Sequence, residues 1–297
     1  MNSRLGLLVS VLALTACGVH SPHPHASSAA RPDTGFVAVR GSRLYYESMG
    51  SGPTVVLLHG GNLDRRMWDE QLPVLAPHFR VIRYDARGFG RSGHADTVFQ
   101  AHADLYALLH HLDVRRASFV GLSLGGRIAI DFTLEHPDMV EKLVLAGPGL
   151  SGWRDWSAED TTWLIAARRA AHGGDSVGMA IAWLTSAYMR PAMEQPRLAN
   201  RLRAIASENA TYWMGLFRHG EVEQDANPPA LGRLAAIRSP TLLLVGDRDS
   251  PVIRRIVDTL SVSIPRSAVV VIHGAGHMVN LERSPEFNLA VLEFLLR

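Results

Sequence analysis

Gly121-Leu122-Ser123-Leu124-Gly125-Gly126 sits between two stretches of different periodicity. Before it, Ala117-Ser118-Phe119-Val120 has the short apolar character of a strand. After it, residues 125–135 carry apolar side chains at helical spacing and stop near His136-Pro137. The chain therefore passes from strand to helix within a few residues, with Ser123 at the bend. A turn that sharp strains the serine backbone and leaves its hydroxyl exposed. It also brings positions 121 and 125 so close to the neighbouring strand and helix that a Cβ at either would collide, and both are glycine. The first amides of the helix face any negative charge that develops there. Gly-x-Ser-x-Gly in a strand-to-helix setting makes Ser123 a candidate nucleophile.

On both sides the alternation continues. Residues 36–39 and 44–48 read as a hairpin, 54–58 as an apolar strand running into His59-Gly60-Gly61, and 80–84 as the next strand. Residues 100–112 read as a helix with Leu105, Leu108, Leu109 and Leu112 at helical spacing, and 141–146 as a strand ending at Gly147-Pro148-Gly149. This implies an α/β fold, a mainly parallel sheet with helices on both faces. The pattern then breaks: residues 151–227 hold no convincing strand and read as helices near 159–171, 177–188, 196–206 and 211–217. After Asn227-Pro228-Pro229 come a strand at 241–245, a helix at 252–260, a strand at 268–272 and a closing helix at 285–296. A helical segment is thus inserted after strand 6, dividing the core into residues 35–150 and 228–297.

The whole chain sets wide bounds. Its 297 residues suit one sizeable domain with an insertion or two small ones, and 47% hydrophobic with 20% charged residues is an ordinary globular balance. A formal charge of +2 with no dense basic run gives no case for nucleic acid. One cysteine excludes an intramolecular disulfide.

A serine hydroxyl needs a base held by a third group. His277, in Gly274-Ala275-Gly276-His277-Met278, follows the last strand, and Asp249, in Gly246-Asp247-Arg248-Asp249, follows the strand before it. Both fall at the edge where Ser123 lies. His59 and His273 are competing bases and Asp247 is a rival acid. The backbone N–H groups of Leu124 and of Gly61, in His59-Gly60-Gly61-Asn62, are the natural donors to an oxyanion. No histidine cluster has metal-ligand spacing and no Gly-rich phosphate loop is present, so neither a metal nor an organic cofactor is expected.

These segments together resemble the α/β-hydrolase superfamily over nearly all of residues 36–297. Asp85-Ala86-Arg87-Gly88-Phe89-Gly90-Arg91-Ser92 is similar to that family's Asp-x-Arg-Gly-x-Gly-x-Ser stretch, in which Asp85 and Arg87 would be structural. Gly276-His277 through Glu282 matches the family's closing Gly-His-x-x-x-x-Glu pattern. The resemblance implies a triad of Ser123, Asp249 and His277, and makes the insertion at 151–227 the family's cap. Haloalkane dehalogenases and most epoxide hydrolases carry Asp where this chain has Ser123. Proline iminopeptidases have Trp beside the serine, where this chain has Leu122 and Leu124. The local words are similar to those of enol-lactonases and small carboxylesterases, while C–C bond hydrolases and perhydrolases share the same triad.

The N-terminus carries a separate signal. Positive Met1 to Arg4, apolar residues 5–14 and Leu14-Thr15-Ala16-Cys17 have the build of a signal peptide, too short to span a bilayer. Leu-Thr-Ala-Cys resembles the lipobox of bacterial lipoproteins, which implies cleavage before Cys17 and its acylation. An ordinary secretory signal with an incidental cysteine is the alternative. Pro- and Ser-rich residues 18–34 read as a tether. The expectation is an exported protein, lipid-anchored to the cell envelope, at the outer membrane of a Gram-negative host because Gly18 and not Asp follows the cysteine.

Within the insertion, Trp153, Trp156, Trp163, Trp183, Trp213, Tyr188, Tyr212 and Phe217 either knit the cap to itself or line an apolar pocket. They favour an apolar acyl or ring-bearing substrate. The expectation is hydrolysis of a small carboxylic ester or lactone, with C–C hydrolysis, perhydrolysis or a non-catalytic binding lipoprotein on the same fold as alternatives. The oligomeric state is open.

Overall fold

A computed structural model of the chain describes residues 32–94, 97–219 and 223–297. The signal segment, Cys17 and the tether as far as residue 31 lie outside the described residues. Eight strands form one sheet: β1 (Asp33–Val39), β2 (Ser42–Met49), β3 (Thr54–Leu58), β4 (Arg80–Tyr84), β5 (Ala117–Leu122), β6 (Val140–Ala146), β7 (Thr241–Gly246) and β8 (Ser267–Ile272), in the order β1-β2-β4-β3-β5-β6-β7-β8. The β1–β2 hairpin and the β2–β4 pair are antiparallel, and every pair from β4 to β8 is parallel. The strands fall where the sequence places them, except that β1 begins at Asp33, inside the expected tether.

Two apolar layers flank the sheet because successive strand residues point to opposite faces. Val55, Leu57, Val81, Val120, Leu122, Val144, Leu242 and Leu244 share one layer with Trp68 and with Phe287 of the closing helix α10 (Ser284–Leu296). Val56, Leu58, Ile82, Phe119, Leu143, Leu145 and Leu243 share the other with helices α2 (Ala101–His111), α3 (Leu124–Glu135) and α8 (Pro251–Ser263). Strands β3 and β7 read as unbroken apolar runs because both their faces are covered, whereas Val269, Val270 and Val271 of the edge strand β8 are exposed. Two further short helices, α1 (Leu72–Leu75) and α9 (Val279–Glu282), have one turn each and left no periodic signal.

Helices α4 (Ala158–Gly173), α5 (Ser176–Leu184), α6 (Arg190–Met193) and α7 (Pro196–His219) form the inserted segment. Helix α7 is continuous where the sequence suggested two pieces. Its polar stretch is a helix face: Ser207 and Glu208 are exposed, while Asn209 is buried and donates to the Ile205 carbonyl. Helix α5 stops earlier than the sequence suggested. The Thr185 hydroxyl turns back onto the carbonyls of Ile181 and Ala182, and the next turns lead into Pro191 at the start of α6.

Polar contacts fasten the insertion to the core at two places. Fully buried Asp64 accepts from Arg66 at 2.6 and 2.9 Å and from the Asn209 amide at 2.9 Å, while the Asn209 oxygen takes the Gly90 N–H at 2.7 Å. Burial pushes the Asp64 carboxyl up, but these bonds outweigh it and hold it at about 2. Near α3, the Ser151 hydroxyl donates to Asp131 at 2.6 Å and accepts from the Ala230 N–H at 2.9 Å, joining the two ends of the insertion. Arg127 on α3 pairs with Glu223 and with Asp225.

Candidate active site

In a parallel sheet the carboxyl ends of neighbouring strands share one edge, and residues just beyond them are set side by side about 4.8 Å apart. Along this edge β3 leads into His59-Gly60-Gly61, β5 into Ser123, β6 into Gly147, β7 into Asp247 and Asp249, and β8 into His273 and His277. Residues distant in sequence meet here because their strands are adjacent.

Ser123 has φ 53° and ψ −112°, a conformation rarely adopted by a non-glycine residue. The surroundings enforce it. Its N–H donates to Ala146 at 3.1 Å, and its carbonyl accepts from Arg127 at 3.0 Å and Gly149 at 2.9 Å. A Cβ on Gly121 would strike the carbonyl of Gly125, and one on Gly125 the carbonyl of Leu58. The glycines are therefore required by close backbone approach, as the sequence suggested.

His277 and Asp249 are in direct contact. The imidazole Nδ1 lies 3.1 Å from both carboxylate oxygens, and both side chains are buried. One Asp249 oxygen also accepts the Ser250 N–H at 2.7 Å. Gly147 ends β6, the strand between that leading into Ser123 and those leading into this pair. With φ 46°, it would aim a Cβ to within 2.9 Å of an Asp249 oxygen and 3.1 Å of His277 Nδ1. The absence of a side chain at the end of β6 makes room for the pair, a role the sequence reading had not assigned.

The competing residues are otherwise engaged. His59 is fully buried, accepts the Ala86 N–H on Nε2 at 2.9 Å, and sits with Nδ1 2.8 Å from the Gly60 carbonyl. This fixes a neutral tautomer with its proton on Nδ1, and burial holds its pKa below the usual histidine range. Asp247 instead faces His273, with Nδ1 3.0 Å away, at an exposed position, and also accepts the Gly274 N–H at 2.8 Å. The hydrogen bond from His273 lowers its pKa. Asp85 and Arg87 are architectural: Asp85 accepts from the Arg65 and Arg91 amides and the Arg65 guanidinium, and Arg87 makes a two-bond pair with Asp104.

Gly61 follows β3, and Gly60 beside it packs against the serine turn, its Cβ position 3.7 Å from Ser123 Cβ. Leu124 opens α3. Among the described residues neither the Gly61 nor the Leu124 amide has a protein acceptor. The inserted helices overlie the same edge. The Tyr188 ring lies 5.2 Å from that of His277, Pro191 packs on Gly276, and Tyr212 packs on Gly88 and Phe89. Of the insertion's tryptophans, Trp183 is buried, Trp153 and Trp163 are half-buried, and Trp156 is exposed. The side chains of Trp213 and Phe217 lie outside the described residues. No group of three or more His, Cys, Asp or Glu among the described residues is arranged to hold a metal.

A strained serine, a carboxylate-held imidazole and two unengaged amides on one sheet edge are the groups that a hydrolase of the α/β class would use. Comparison with known proteins agrees. A profile of the alpha/beta hydrolase fold family matches residues 53–284, and the chain belongs to that family. A hydrolase from Pseudomonas aeruginosa has a similar structure, with TM-score 0.72, 30% identity, and coverage of 91% of this chain and 99% of that one. The enol-lactonase from Burkholderia xenovorans LB400 gives TM-score 0.73 at 26% identity, covering 89% and 100%. A 2-hydroxy-6-oxononadienedioate/2-hydroxy-6-oxononatrienedioate hydrolase from Pseudomonas putida is 29% identical over 281 residues, 85% of this chain and 91% of its own. The protein is an enzyme, a hydrolase of this fold.

The place of Gly147 makes a sharp test. Gly147→Ala is expected to fold, at a cost of about 1–2 kcal/mol for the left-handed backbone. Its methyl would displace the Asp249–His277 pair, cutting turnover about 10²-fold. Thermal melting and ester hydrolysis measured on one preparation separate the two effects.

Proposed function

We propose that this enzyme cleaves a small, largely apolar carboxylic ester or lactone through an acyl-enzyme on Ser123. The observation that carries the reading is the buried contact of His277 Nδ1 with both oxygens of Asp249, at the strand ends beside the strained Ser123 turn. Asp249 would hold the imidazole with its proton on Nδ1, so that Nε2 is available to take the Ser123 proton as the oxygen attacks the substrate carbonyl. The Gly61 and Leu124 amides would donate to the resulting oxyanion, each worth about 10²–10³ in rate. Return of the proton from Nε2 to the leaving alkoxide completes acylation. Water, deprotonated by the same nitrogen, then attacks the acyl carbon and frees Ser123. A lactone follows the same steps, with its alkoxide remaining part of the acyl group.

Two features support an uncharged substrate. Tyr188 and Pro191 bring apolar surface against the histidine loop. Arg127, one helical turn from Ser123, is occupied by Glu223 and Asp225 and is not left to meet a carboxylate. A second reading, hydrolysis of a C–C bond, draws support from the similarity to the P. putida enzyme. A vinylogous diketone turned over faster than simple esters would favour it.

The test is fluorophosphonate labelling with turnover of short and medium acyl nitrophenyl esters. Labelling and turnover should both vanish in Ser123→Ala. Asp249→Asn should lose about 10⁴ in kcat, with Asp247→Asn close to wild type. Unlabelled, well-folded wild type would overturn the reading.

We further infer that the chain is exported and acylated on Cys17, because the apolar run and Leu14-Thr15-Ala16-Cys17 have the order that export and lipid attachment require. Palmitate fed to expressing cells should label the wild type and not Cys17→Ala. Equal labelling of both would rule out that attachment site.

A further inference from the structure

Glu282 closes the Gly-His-x-x-x-x-Glu pattern and occupies the last position of α9. It is buried and reaches back to the loop that carries His277. One carboxylate oxygen accepts the Gly276 N–H at 2.8 Å, and the other accepts the Met278 N–H at 3.0 Å. The two amides flanking His277 thus bond to a single carboxylate. From the opposite side, the Ala275 carbonyl takes the Arg248 N–H at 2.9 Å, and the loop backbone packs where Gly246 has no Cβ. Pro191 of the inserted segment presses on Gly276 from above. Among the described residues, only Glu282 grips this loop on both sides of the imidazole with a group that can carry charge.

We propose that Glu282 is a positioning residue for His277: it fixes the loop on both sides of the imidazole, and its negative charge supports the imidazolium formed when Ser123 gives up its proton. This rests on the reading of His277 as the base. Asp249 alone could orient the ring, but it grips only Nδ1 and leaves the backbone free to shift. A displacement of about 1 Å at the base is enough to cost about 10² in rate. Glu282 removes that freedom. The ionisable groups facing it are few: Asp249 and Arg248 from the segment after β7, and His277 from its own loop, with Arg248 held by Glu194 of the inserted segment at 2.6 Å. Burial, and then the Asp249 charge, push the Glu282 carboxyl above the ordinary range, while the two amides and His277 pull against them. The charge is therefore costly to keep in this place, and the two amides that offset the cost are the ones beside the base.

Glu282→Gln tests the proposal by its pH profile. Glutamine has the same size, but it carries no charge and offers only one acceptor to two N–H groups. With active sites counted by fluorophosphonate titration, kcat/KM at neutral pH should fall about 10²-fold. The acidic limb of the profile should also move to lower pH by about one unit, because the imidazolium loses a nearby negative charge. A limb that stays at its wild-type position would show that Glu282 only supports the fold, and would overturn the proposal. Should Glu282→Gln fail to fold, Glu282→Asp serves instead. The shorter acid keeps the charge but cannot hold both amides, so kcat should fall about tenfold with the limb unmoved, and an unchanged kcat would contradict the proposal. Absence of Ser123 labelling in the wild type would remove this proposal together with the acyl-enzyme reading. That failure is visible before any Glu282 variant is made, and so is distinct from failure of the Glu282 role alone.

Discussion

A serine held at φ 53° between a parallel strand and the helix that follows it places demands on everything around it. The conformation costs on the order of 1–3 kcal/mol and persists only where neighbouring groups leave no alternative. Here they are the carbonyl of Ala146, the amides of Arg127 and Gly149, and two glycines pressed against backbone. On the acyl-enzyme reading, the strain keeps nucleophile and oxyanion donor facing one point.

The sheet does the rest of the arranging. Adjacent strands present Gly61, Ser123, Gly147, Asp249 and His277 in lateral order, with the Gly61 amide on one side of the serine and the Asp249–His277 pair on the other. Because the spacing between parallel strands is fixed by their hydrogen bonds, the strand ends set the lateral order, and the loops that carry Asp249 and His277 are fastened only locally. What remains adjustable is the inserted segment above the edge. It is held through Asn209 of α7 on Asp64 at one place and by Ser151, Asp131 and Arg127 where its two ends meet the core. On the acyl-enzyme reading the chemistry would belong to the sheet and the choice of substrate to the insertion, which is how one arrangement of residues can serve relatives with different substrates.

The strands and the strand-to-helix serine were legible because both leave local signals, apolar runs in one case and glycines at fixed offsets in the other. Asp249 and His277 were legible by position, each just past a strand. The sequence favours Asp249 over Asp247 through the family resemblance, and the fold sets which imidazole each carboxylate meets: Asp247 turns outward to His273 and Asp249 inward to His277. Gly147 was seen only as the end of a strand, since nothing local reveals that a side chain there would collide with residues about a hundred positions away. Helix α7 was divided in two because Ser207 and Glu208 look like a loop until Asn209 is seen to bury itself against Asp64. One-turn helices such as α9 are too short to show a period, so the reach of Glu282 to two amides could not be read in advance.

The central claim is geometric, that Ser123, the Gly61 and Leu124 amides and the Asp249–His277 pair converge on one reacting carbon. The most direct measurement is a crystal structure of the protein after reaction with a small alkyl fluorophosphonate, whose tetrahedral phosphorus stands in for the attacked carbonyl carbon. The account predicts phosphorus bonded to Ser123 Oγ, the phosphoryl oxygen within hydrogen-bond distance of both amides, and His277 Nε2 facing the ester oxygen. A phosphoryl oxygen turned away from Gly61 and Leu124, or an adduct on any other residue, would contradict it.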